Sequence, residues 1–519
     1  MIKTIVRKNT YMDSIFLMQA TKAASGLDGV KEAVIVMGTD VNKSVLSDVN
    51  RLTGDAKNAG PSDLIISLDV ENEDAANAVI RYLDDMKKAA NKPSQGDDGA
   101  RRYPTVRLAK QHLEDAKLAI ISIPGEYAAA EAKKALFEGL NVFIFSDNVS
   151  LEDEVALKKL ADEKNLYVMG PSSGNAVING ISIGLMSVSA KGRIGIVGAS
   201  GSGIHEIAAL VTQAGQGISQ AVGTGGRDLS KEVGGATMIK AFHFLKQDPN
   251  TDIIVLVSKP PHPETAEKIY ALVKQCEKPV VIYFLGGDPV KIRESGAYSP
   301  DSLEQAAAMA VSLARGEKPE TTPFLPACEA GLVATAKEER AKLSAGQTML
   351  RGLFCGGTHT EESILIIQKM LGNLHANVGF GGATLLGHAR KSVGNSVIDM
   401  GDEEFTKGKP HPVMDPSILS ERFIAEGDNP EVAVILFDLL LGYGAHADPV
   451  GQIEEAITKI TGRAAAAGRH LCLIASITGT DLDPQILTEQ QKRLSSLGVR
   501  VMKSNAQAAM LAGLIVRGE

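Results

Sequence analysis

The sequence predicts a parallel α/β protein made of several domains. Short apolar, β-branched runs alternate with glycine-rich turns and helical patterns, which is the succession typical of parallel sheets. The apolar runs are continuous rather than alternating, as expected for strands that are buried on both faces. A chain of 519 residues is long enough for about three or four domains. We therefore expect several sheets, each with its own core.

The composition excludes several classes of protein. Hydrophobic residues make up 44% of the chain and charged residues 22%, so a mainly disordered chain is excluded. A net charge of −8 and the absence of Trp disfavour a nucleic-acid partner. The four cysteines form no CxxC pair, so we expect no metal site and no disulfide framework. The apolar runs are too short to span a bilayer, and we expect a cytoplasmic protein without a membrane partner.

In the first part of the chain, the predicted elements follow this alternation of strands and helices. Residues 1–16 predict a strand that leads into a helix rather than a signal peptide. Two helical patterns separate some of the strands that follow, at Ala128–Phe137 and Leu151–Lys164. The candidate strands are Val34–Met37, Leu64–Leu68, Leu118–Ile123, Val142–Phe145 and Tyr167–Met169.

Two polar stretches and an internal similarity divide the chain further. Lys87–Arg102 resembles a mobile loop or linker. Arg315–Gln347 resembles an interdomain connector, in which a helix is predicted at Ala334–Leu343. Arg193–Ile204 and Arg351–Ile364 both predict a strand, a glycine turn and a helix. This similarity predicts two related α/β modules behind an N-terminal α/β region.

The first candidate site is the turn Gly198-Ala199-Ser200-Gly201-Ser202-Gly203, which follows a predicted strand. Its glycines allow a tight turn, and the free N–H groups of the next helix attract phosphate or carboxylate. Ser200 and Ser202 add hydroxyl donors, so we expect residues 200–203 to bind phosphate. The spacing matches neither a Walker A loop nor the GxGxxG dinucleotide pattern. The alternative is an ordinary helix cap.

The second candidate site is the turn Cys355–Glu362. Gly356, Gly357 and Thr358 are expected to bind phosphate in the same way, at the start of another helix. His359 is either a catalytic acid or a polar surface residue.

The third candidate site is the loop Gly442–Pro449, after the predicted strand Val432–Leu441. Ligands of α/β proteins bind at the carboxyl ends of parallel strands. His446 is therefore a candidate catalytic group, oriented by Asp438 or Asp448. The alternative is a turn histidine that makes a structural hydrogen bond.

Three further cationic side chains are candidates for binding an anionic substrate. Lys409 and His411 lie in a proline-restricted loop that follows the acidic run Asp399–Asp402. This loop either binds a small anion or is a solvated connector. Arg227 follows a glycine turn, where it either clamps a carboxylate or phosphate or holds the turn through an Arg–Asp pair. His262, between two prolines, is expected to cap a helix.

Several phrases resemble a known family. LAIISIPGEYAAAEAKKAL, YVMGPSSGNAVING, GRIGIVGASGSGIHEIA and GTGGRDLS resemble the α subunit of succinyl-CoA synthetase. Over its whole length, through NKSVL, VFIFSDNVSLEDEVALK, RGLFCGGT, KGKPHPVMDP and GYGAHADPVG, the chain is similar to the FdrA family of acyl-CoA synthetase-like proteins.

The resemblance implies a Rossmann-like, CoA-binding-type domain followed by two flavodoxin-like domains of the succinyl-CoA synthetase type. The corresponding boundaries are 1–100 for the N-terminal region, 101–190 for the CoA-binding-like domain, 191–320 and 348–519 for the ligase-type domains, and 321–347 for the linker. CoA is the implied cofactor, and the residues at positions that line its site in the relatives are Pro124, Gly125, Gly170, Pro171 and Ser172.

The resemblance also implies a mechanism from which this sequence departs. In the synthetase, two helix N-termini face a shared phosphohistidine, and Ser200–Ser202 and Gly356–Thr358 occupy the matching positions. The histidine is missing, because the corresponding region reads GGDPVKIRESGAYSPDS, and no ATP-grasp module is recognisable. His446 is the candidate to replace it.

Three functions are therefore compared. The first is acyl or carbamoyl transfer from a phosphorylated small molecule such as carbamoyl phosphate, since some FdrA-family proteins are associated with carbamoyl transfer to oxamate in allantoin (purine) catabolism. The second is a CoA-dependent acyl-CoA ligase subunit, and the third a non-catalytic scaffold. We expect transfer, in a homo-oligomer or a complex with other subunits of the pathway.

Overall fold

The computed structural model describes residues 1–10, 12, 14–39, 42–43, 46–47, 51–91, 102–406 and 409–518. These residues form two compact units. The first contains Met1–Arg102 with Lys407–Pro410, and the second contains Tyr103–Thr406 with His411–Glu519. Residues 92–101 of the predicted linker lie outside the described part, whereas Lys87–Asn91 belong to a helix.

The first unit is an antiparallel sheet covered by helices. Its order is β1-β3-β2, and the paired side chains of β3 are almost all buried. The expected strand and helix at the N-terminus are confirmed, but the expectation of parallel strands is wrong for this unit. Its elements are β1 (Ile2–Arg7), α1 (Ser14–Ser25), β2 (Val30–Met37), a 3₁₀ turn (Gly54–Asn58), β3 (Leu64–Val70) and α2 (Glu73–Asn91).

The second unit opens with a small parallel sheet of order β4-β5-β6. Ser150 caps α5 by accepting from the Asp153 N–H, and the first turn is acidic, which suits the positive end of a helix. The predicted strands and helices of this region are confirmed to within a few residues. The elements are α3 (Val106–His112), β4 (Leu118–Ile121), α4 (Gly125–Phe137), β5 (Asn141–Ile144), α5 (Leu151–Glu163) and β6 (Val168–Met169).

The first large module has parallel strands in the order β10-β9-β11-β12, the flavodoxin-like order second-first-third-fourth. The hairpin β7–β8 extends this sheet by antiparallel pairing with β10, so the sheet begins before residue 190. The elements are β7 (Asn175–Ile178), β8 (Ile181–Gly184), β9 (Lys191–Ala199), α6 (Gly201–Gln213), β10 (Ile218–Gly223), α7 (Ala236–Gln247), β11 (Ile253–Ser258), α8 (Pro263–Val273), β12 (Val280–Phe284), α9 (Pro289–Glu294) and α10 (Leu303–Ala314).

The second large module is also built on a parallel sheet whose first strand lies between later strands. Its all-parallel sheet has the order β15-β14-β16-β13-β17-β18-β19, with β13 first in sequence and central in space. The expected connector forms a longer helix than predicted, α11, which packs on the C-terminal helix. The elements are α11 (Phe324–Arg340), β13 (Met349–Phe354), α12 (Gly357–Leu371), β14 (Leu374–Ala376), β15 (Thr384–Leu385), β16 (Asn395–Asp399), α13 (Glu403–Thr406), α14 (Ser417–Gly427), β17 (Val432–Leu440), α15 (Pro449–Ala466), β18 (Cys472–Thr478), α16 (Leu487–Ser496), β19 (Arg500–Met502) and α17 (Asn505–Arg517).

Candidate active site

The starts of helices α6 and α12 meet where the two large modules contact each other. Ser200 Oγ, before α6, lies 2.7 Å from Thr358 Oγ1, in the first turn of α12. The backbone N–H of Thr358 donates to Ser202 Oγ at 3.1 Å, so a side chain of one module caps the helix of the other. The two predicted phosphate-binding turns therefore form one junction.

Helix α6 keeps unused donors at this junction. Ser200 occupies the cap position, but its hydroxyl makes no cap hydrogen bond to α6. The first N–H groups of a helix have no partner within the helix, so they remain available to a ligand. Ser200, Ser202 and Thr358 are buried, whereas Gly201 and Gly357, the first residues of the two helices, are partly exposed. The accessible part of the junction is thus the pair of glycines.

One polar side chain lies beside each of these glycines. A Cβ built on Gly201 would be 3.4 Å from Asn175 Oδ1, and one built on Gly357 would be 3.0 Å from Asp399 Oδ2. Asp399 ends β16, where its Oδ1 accepts from the Gly401 N–H. Burial raises the pKa of Asp399 to about 7, against the opposing charge of Lys259. Asp399 is therefore a carboxyl group that can exchange a proton near neutral pH.

Lys259 extends the junction from the first module. It follows β11, and its Nζ lies 2.6 Å from Glu361 Oε1 in α12. Burial raises the pKa of Glu361, while the Lys259 charge opposes that rise. Lys259 remains partly exposed and therefore provides a positive charge beside the helix starts.

His359 is buried between carboxylates of both modules. Its Nδ1 lies 2.8 Å from Asp438 Oδ2, and its Nε2 lies 2.8 Å from Glu206 Oε2 with an angle outside the hydrogen-bonding range. Burial lowers the pKa of His359, but the Glu206 charge and the Asp438 hydrogen bond outweigh burial and raise it to about 10. His359 is therefore a buried cation, and the alternative of a polar surface residue is wrong.

Asp438 also fixes the turn that precedes α12. Its carboxylate accepts from the Cys355 N–H at 2.5 Å and from the Gly356 N–H at 3.0 Å. Asp438 thus holds His359 and the glycine turn together, and it is not the partner of His446 that the sequence suggested. Its place inside the buried apolar strand β17 is a signal that sequence reasoning could have used.

More polar groups continue the contact between the modules. Glu362 Oε2 accepts from Asn505 Nδ2 at 2.8 Å, and Glu362 Oε1 accepts from Tyr283 Oη at 3.3 Å. Burial and the Glu206 charge raise the pKa of Glu362 to about 7. The Asn505 N–H donates to Glu206 Oε1 at 3.0 Å. This network, like the His359 ion pairs, fixes the angle at which α6 and α12 meet.

The loops expected to line a CoA site lie next to the first module. Ser173 Oγ donates to the Gly223 carbonyl at 3.1 Å, and a Cβ on Gly225 would be 2.3 Å from the Pro171 carbonyl oxygen. The space beside Gly125 and Gly170 is filled by other backbone, from Asp147 and Ile144 respectively. Packing therefore accounts for these two glycines without a cofactor.

His446 makes the structural hydrogen bond that was its alternative role. Its Nδ1 accepts from the Asp448 N–H at 3.0 Å, just before α15, and its own N–H donates to the Val413 carbonyl at 2.9 Å. In the described residues, these bonds and one from Gln485 are its hydrogen bonds, and none reaches the helix junction. A catalytic role of His446 stays a prediction.

The three predicted anion-binding cations differ in their surroundings. Arg227 donates to Glu154 Oε2 at 3.0 Å and to the Val149 carbonyl at 2.7 Å, so these donors hold its loop to α5. Its expected partner Asp228 instead binds Lys158 at 2.7 Å. His411 lies beside Gly401, since a Cβ on Gly401 would be 2.8 Å from its Nε2. Burial lowers the pKa of His411, which opposes the positive charge that the sequence predicted for it. Lys409 is exposed and belongs to the first unit.

The expected cap at His262 is confirmed, since its Nδ1 accepts from the Glu264 N–H at 3.4 Å.

A separate cavity of about 440 Å³ lies between α5 and α7, lined among others by Lys159, Tyr167 and Lys240. It includes none of the residues at the helix junction.

One group of side chains has the ligand types of a metal site. Atoms of Glu339, His470 and Cys472 lie within 4.8 Å of one another. Glu339, however, is already paired with Arg500 Nη2 at 2.5 Å and with Lys342 at 2.8 Å. Burial raises the pKa of Glu339, but these hydrogen bonds prevail and lower it to about 2. The positively charged side chains of Arg500 and Lys342 therefore already occupy the place beside Glu339 where a metal ion would bind.

Comparisons with known proteins agree with this architecture. The family model described as CoA-ligase matches residues 353–515, the one described as CoA binding domain matches 189–286, and the one described as AllF, heavy metal-associated domain, matches 1–103. Two parts of the chain therefore match domains of the CoA-ligase and CoA-binding types. The CoA-binding match covers the module that the sequence predicted as the first ligase-type domain.

The relatives are consistent with these matches. The chain is 40% identical over 519 residues to YahF of Escherichia coli (strain K12), a protein described as uncharacterized, covering 100% of this chain and 99% of YahF. It belongs to the same family as YahF. It is 30% identical over 191 residues to the α subunit of an ADP-forming succinate–CoA ligase from Methanothermobacter thermautotrophicus, over 36% of this chain and 62% of that protein.

A solved structure of ATP citrate lyase from Methanothrix soehngenii, in complex with citrate and coenzyme A, is similar to part of this protein. The match covers 44% of this chain and 46% of the lyase chain, with 19% sequence identity and a TM-score of 0.37.

Among the described residues, no helix combines the length and the apolar character needed to cross a membrane.

The heavy-metal match does not extend to metal ligands. Soft metals are held by Cys thiolates, Met thioethers or His imidazoles. Residues 1–103 contain neither Cys nor His, because the first histidine is His112 and the first cysteine is Cys276. The first unit therefore lacks the thiolate and imidazole ligands of a heavy-metal site.

Proposed function

We propose that this protein transfers an acyl or carbamoyl group from a phosphorylated small molecule whose phosphate binds at the junction of α6 and α12. The observation that carries this proposal is the 2.7 Å contact between Ser200 and Thr358, which brings two helix N-termini to one point. The N-terminus of a helix attracts an anion, and here the starts of two helices lie side by side.

The geometry supports the following step. A nucleophile attacks the carbonyl carbon of the acyl or carbamoyl phosphate, the bond from that carbon to the bridging oxygen breaks, and phosphate leaves. The free N–H groups at the start of α6 stabilise the charge that grows on the phosphate oxygens. Asp399 accepts the proton that the nucleophile loses, because its pKa of about 7 leaves much of it ionised at neutral pH. His359 is a positioning residue, since it is buried beneath the junction.

Within this reaction class we propose carbamoyl transfer, with oxamate as the candidate acceptor and with partner subunits. The AllF-type match of residues 1–103 supports this choice over simple acyl transfer. The second candidate function is that of a CoA-dependent ligase subunit. It is favoured by the CoA-binding match at 189–286.

Ligand-induced stabilisation distinguishes the two. A ligand at 100 times its Kd raises the free energy of unfolding by about 2.7 kcal/mol. We expect inorganic phosphate and carbamoyl phosphate to raise Tm and CoA to leave it unchanged. Stabilisation by CoA alone would support the ligase instead.

A variant pair tests the place of binding. Gly201→Val fills the space in front of the free N–H groups and should abolish stabilisation by phosphate. Arg193→Ala is the control, because Arg193 forms an exposed pair with Asp252 away from the junction. Equal phosphate affinity of the two variants would contradict the proposed site.

A further inference from the structure

We propose that Asn175 selects, through its side-chain oxygen, a substrate that carries an N–H donor next to its phosphate-linked carbonyl group. This inference rests on the proposed function and assigns the choice between carbamoyl and acyl phosphates to one residue. It concerns the first residue of β7, the strand that follows the small parallel sheet.

The oxygen of Asn175 is a buried acceptor without a partner. Asn175 is 3% exposed, at the start of β7. Its Nδ2 donates to the Gly201 carbonyl at 2.9 Å and to the Leu185 carbonyl at 3.3 Å. Within the described residues, Oδ1 has no hydrogen-bond partner. Buried polar groups almost always have one, so this oxygen can accept a hydrogen bond from a donor on a ligand.

The orientation of the amide is determined by its surroundings. If the group were rotated by half a turn, Oδ1 would face the carbonyl oxygens of Gly201 and Leu185, and acceptors do not bond to acceptors. The group that faces the junction is therefore the oxygen, which can only accept.

Oδ1 lies beside the start of α6 and is itself buried. It lies 3.4 Å from the position that a Cβ on Gly201 would occupy, and no other heavy atom outside the helix backbone and the neighbouring residues lies within 4 Å of that position. Gly201 is the first residue of α6, so a ligand that binds to the free N–H groups of this helix has the Asn175 acceptor beside it.

Carbamoyl phosphate fits this arrangement, since its NH₂ group supplies the donor and its phosphate accepts from the helix. Acetyl phosphate has a methyl group of nearly the same size in place of the NH₂ group, and its binding leaves Oδ1 without a partner. Sites that hydrogen-bond a substrate N–H discriminate strongly against analogues that lack it. For one acceptor we expect a preference of about tenfold or more.

The test uses two hydrolysis-resistant probes that differ only in this group, phosphonoacetamide and acetonylphosphonate. Isothermal titration of the full-length protein should show the amide binding about tenfold more tightly or better. In Asn175→Leu the two affinities should become equal, while inorganic phosphate still binds. In Asn175→Asp, which keeps acceptor oxygens, both affinities should fall but the preference should remain. If Asn175→Leu fails to fold, Asn175→Ser replaces it.

The outcomes separate the two proposals. Equal affinity of the wild-type protein for both probes would overturn the assignment of Asn175 and leave the phosphate site standing. An unchanged preference in Asn175→Leu would do the same. Failure of phosphate and of both probes to bind would remove the proposed function, and the role of Asn175 with it.

Discussion

His359 Nε2 lies 2.8 Å from Glu206 Oε2, and these two residues come from different modules. His359 is also held at Nδ1 by Asp438, which fixes the turn before α12. A buried cation between two carboxylates thus sets the place where the helix starts meet. Breaking a buried ion pair is costly because it leaves an uncompensated charge.

The ion pairs of His359 predict a loss of stability at alkaline pH. The pKa of His359 is raised from 6.5 to about 10, so its stabilising contribution is complete below about pH 6.5 and is lost as the pH rises through 10. The free energy of unfolding should fall by at most about 1.4 kcal/mol per pH unit in that window. Urea unfolding of the wild type and of His359→Gln measures this, and an equal alkaline slope in both would contradict it.

Removing Asp438 should destabilise the protein much more than removing an exposed partner. We expect Asp438→Ala to lower the free energy of unfolding by about 3–5 kcal/mol, because His359 and two backbone N–H groups lose their partner. Asp252→Ala breaks the exposed pair with Arg193 and should cost at most about 1 kcal/mol. If chemical denaturation showed similar losses of unfolding free energy for both variants, the conclusion that Asp438 holds His359 and the glycine turn together would be contradicted.

The two glycine turns should differ in their tolerance of a methyl group. A Cβ on Gly356 would lie 2.8 Å from Ser202 Cβ and 2.9 Å from His359 Nδ1, whereas the nearest atom to one on Gly201 is at 3.4 Å. Gly356→Ala should therefore cost about 1–3 kcal/mol, and Gly201→Ala should leave Tm almost unchanged. The opposite ranking in thermal unfolding would show that the helix starts are packed differently.

Asp399 should make anion binding depend on pH. Its pKa is raised to about 7 by burial, so it becomes negatively charged between about pH 6 and 8 beside Gly357. The affinity for sulfate, whose own charge is constant in that range, should fall as the pH rises. In Asp399→Asn the affinity should stay level, and a parallel fall in both proteins would exclude Asp399 as the cause.

Much of the fold follows from local patterns in the sequence. The strands Leu118–Ile121 and Val432–Leu440 are continuous apolar runs bounded by turns, and both were predicted closely. The antiparallel sheet of the first unit was missed because an apolar run does not reveal the direction of its neighbour. The helix Phe324–Arg340 was shortened in the prediction because Pro326 lies within its first turn, where proline is tolerated.

The candidate site was predicted in part. Glycine turns and helix starts are local features, so residues 200–203 and 356–358 could be found without a structure. The junction between them could not, because Ser200 and Thr358 are 158 residues apart. Asn175 was missed as a site residue for the same reason, and Asp399 was noted only as part of the acidic run before Lys409, since only the folded chain places these two residues beside Gly201 and Gly357.

The most direct test of the central claim is a crystal structure of the protein grown with inorganic phosphate. We expect one phosphate at the junction of α6 and α12, within hydrogen-bonding distance of N–H groups at the start of α6 and beside Gly357. A junction closed by side chains with no anion, at a phosphate concentration that stabilises the protein, would contradict the claim.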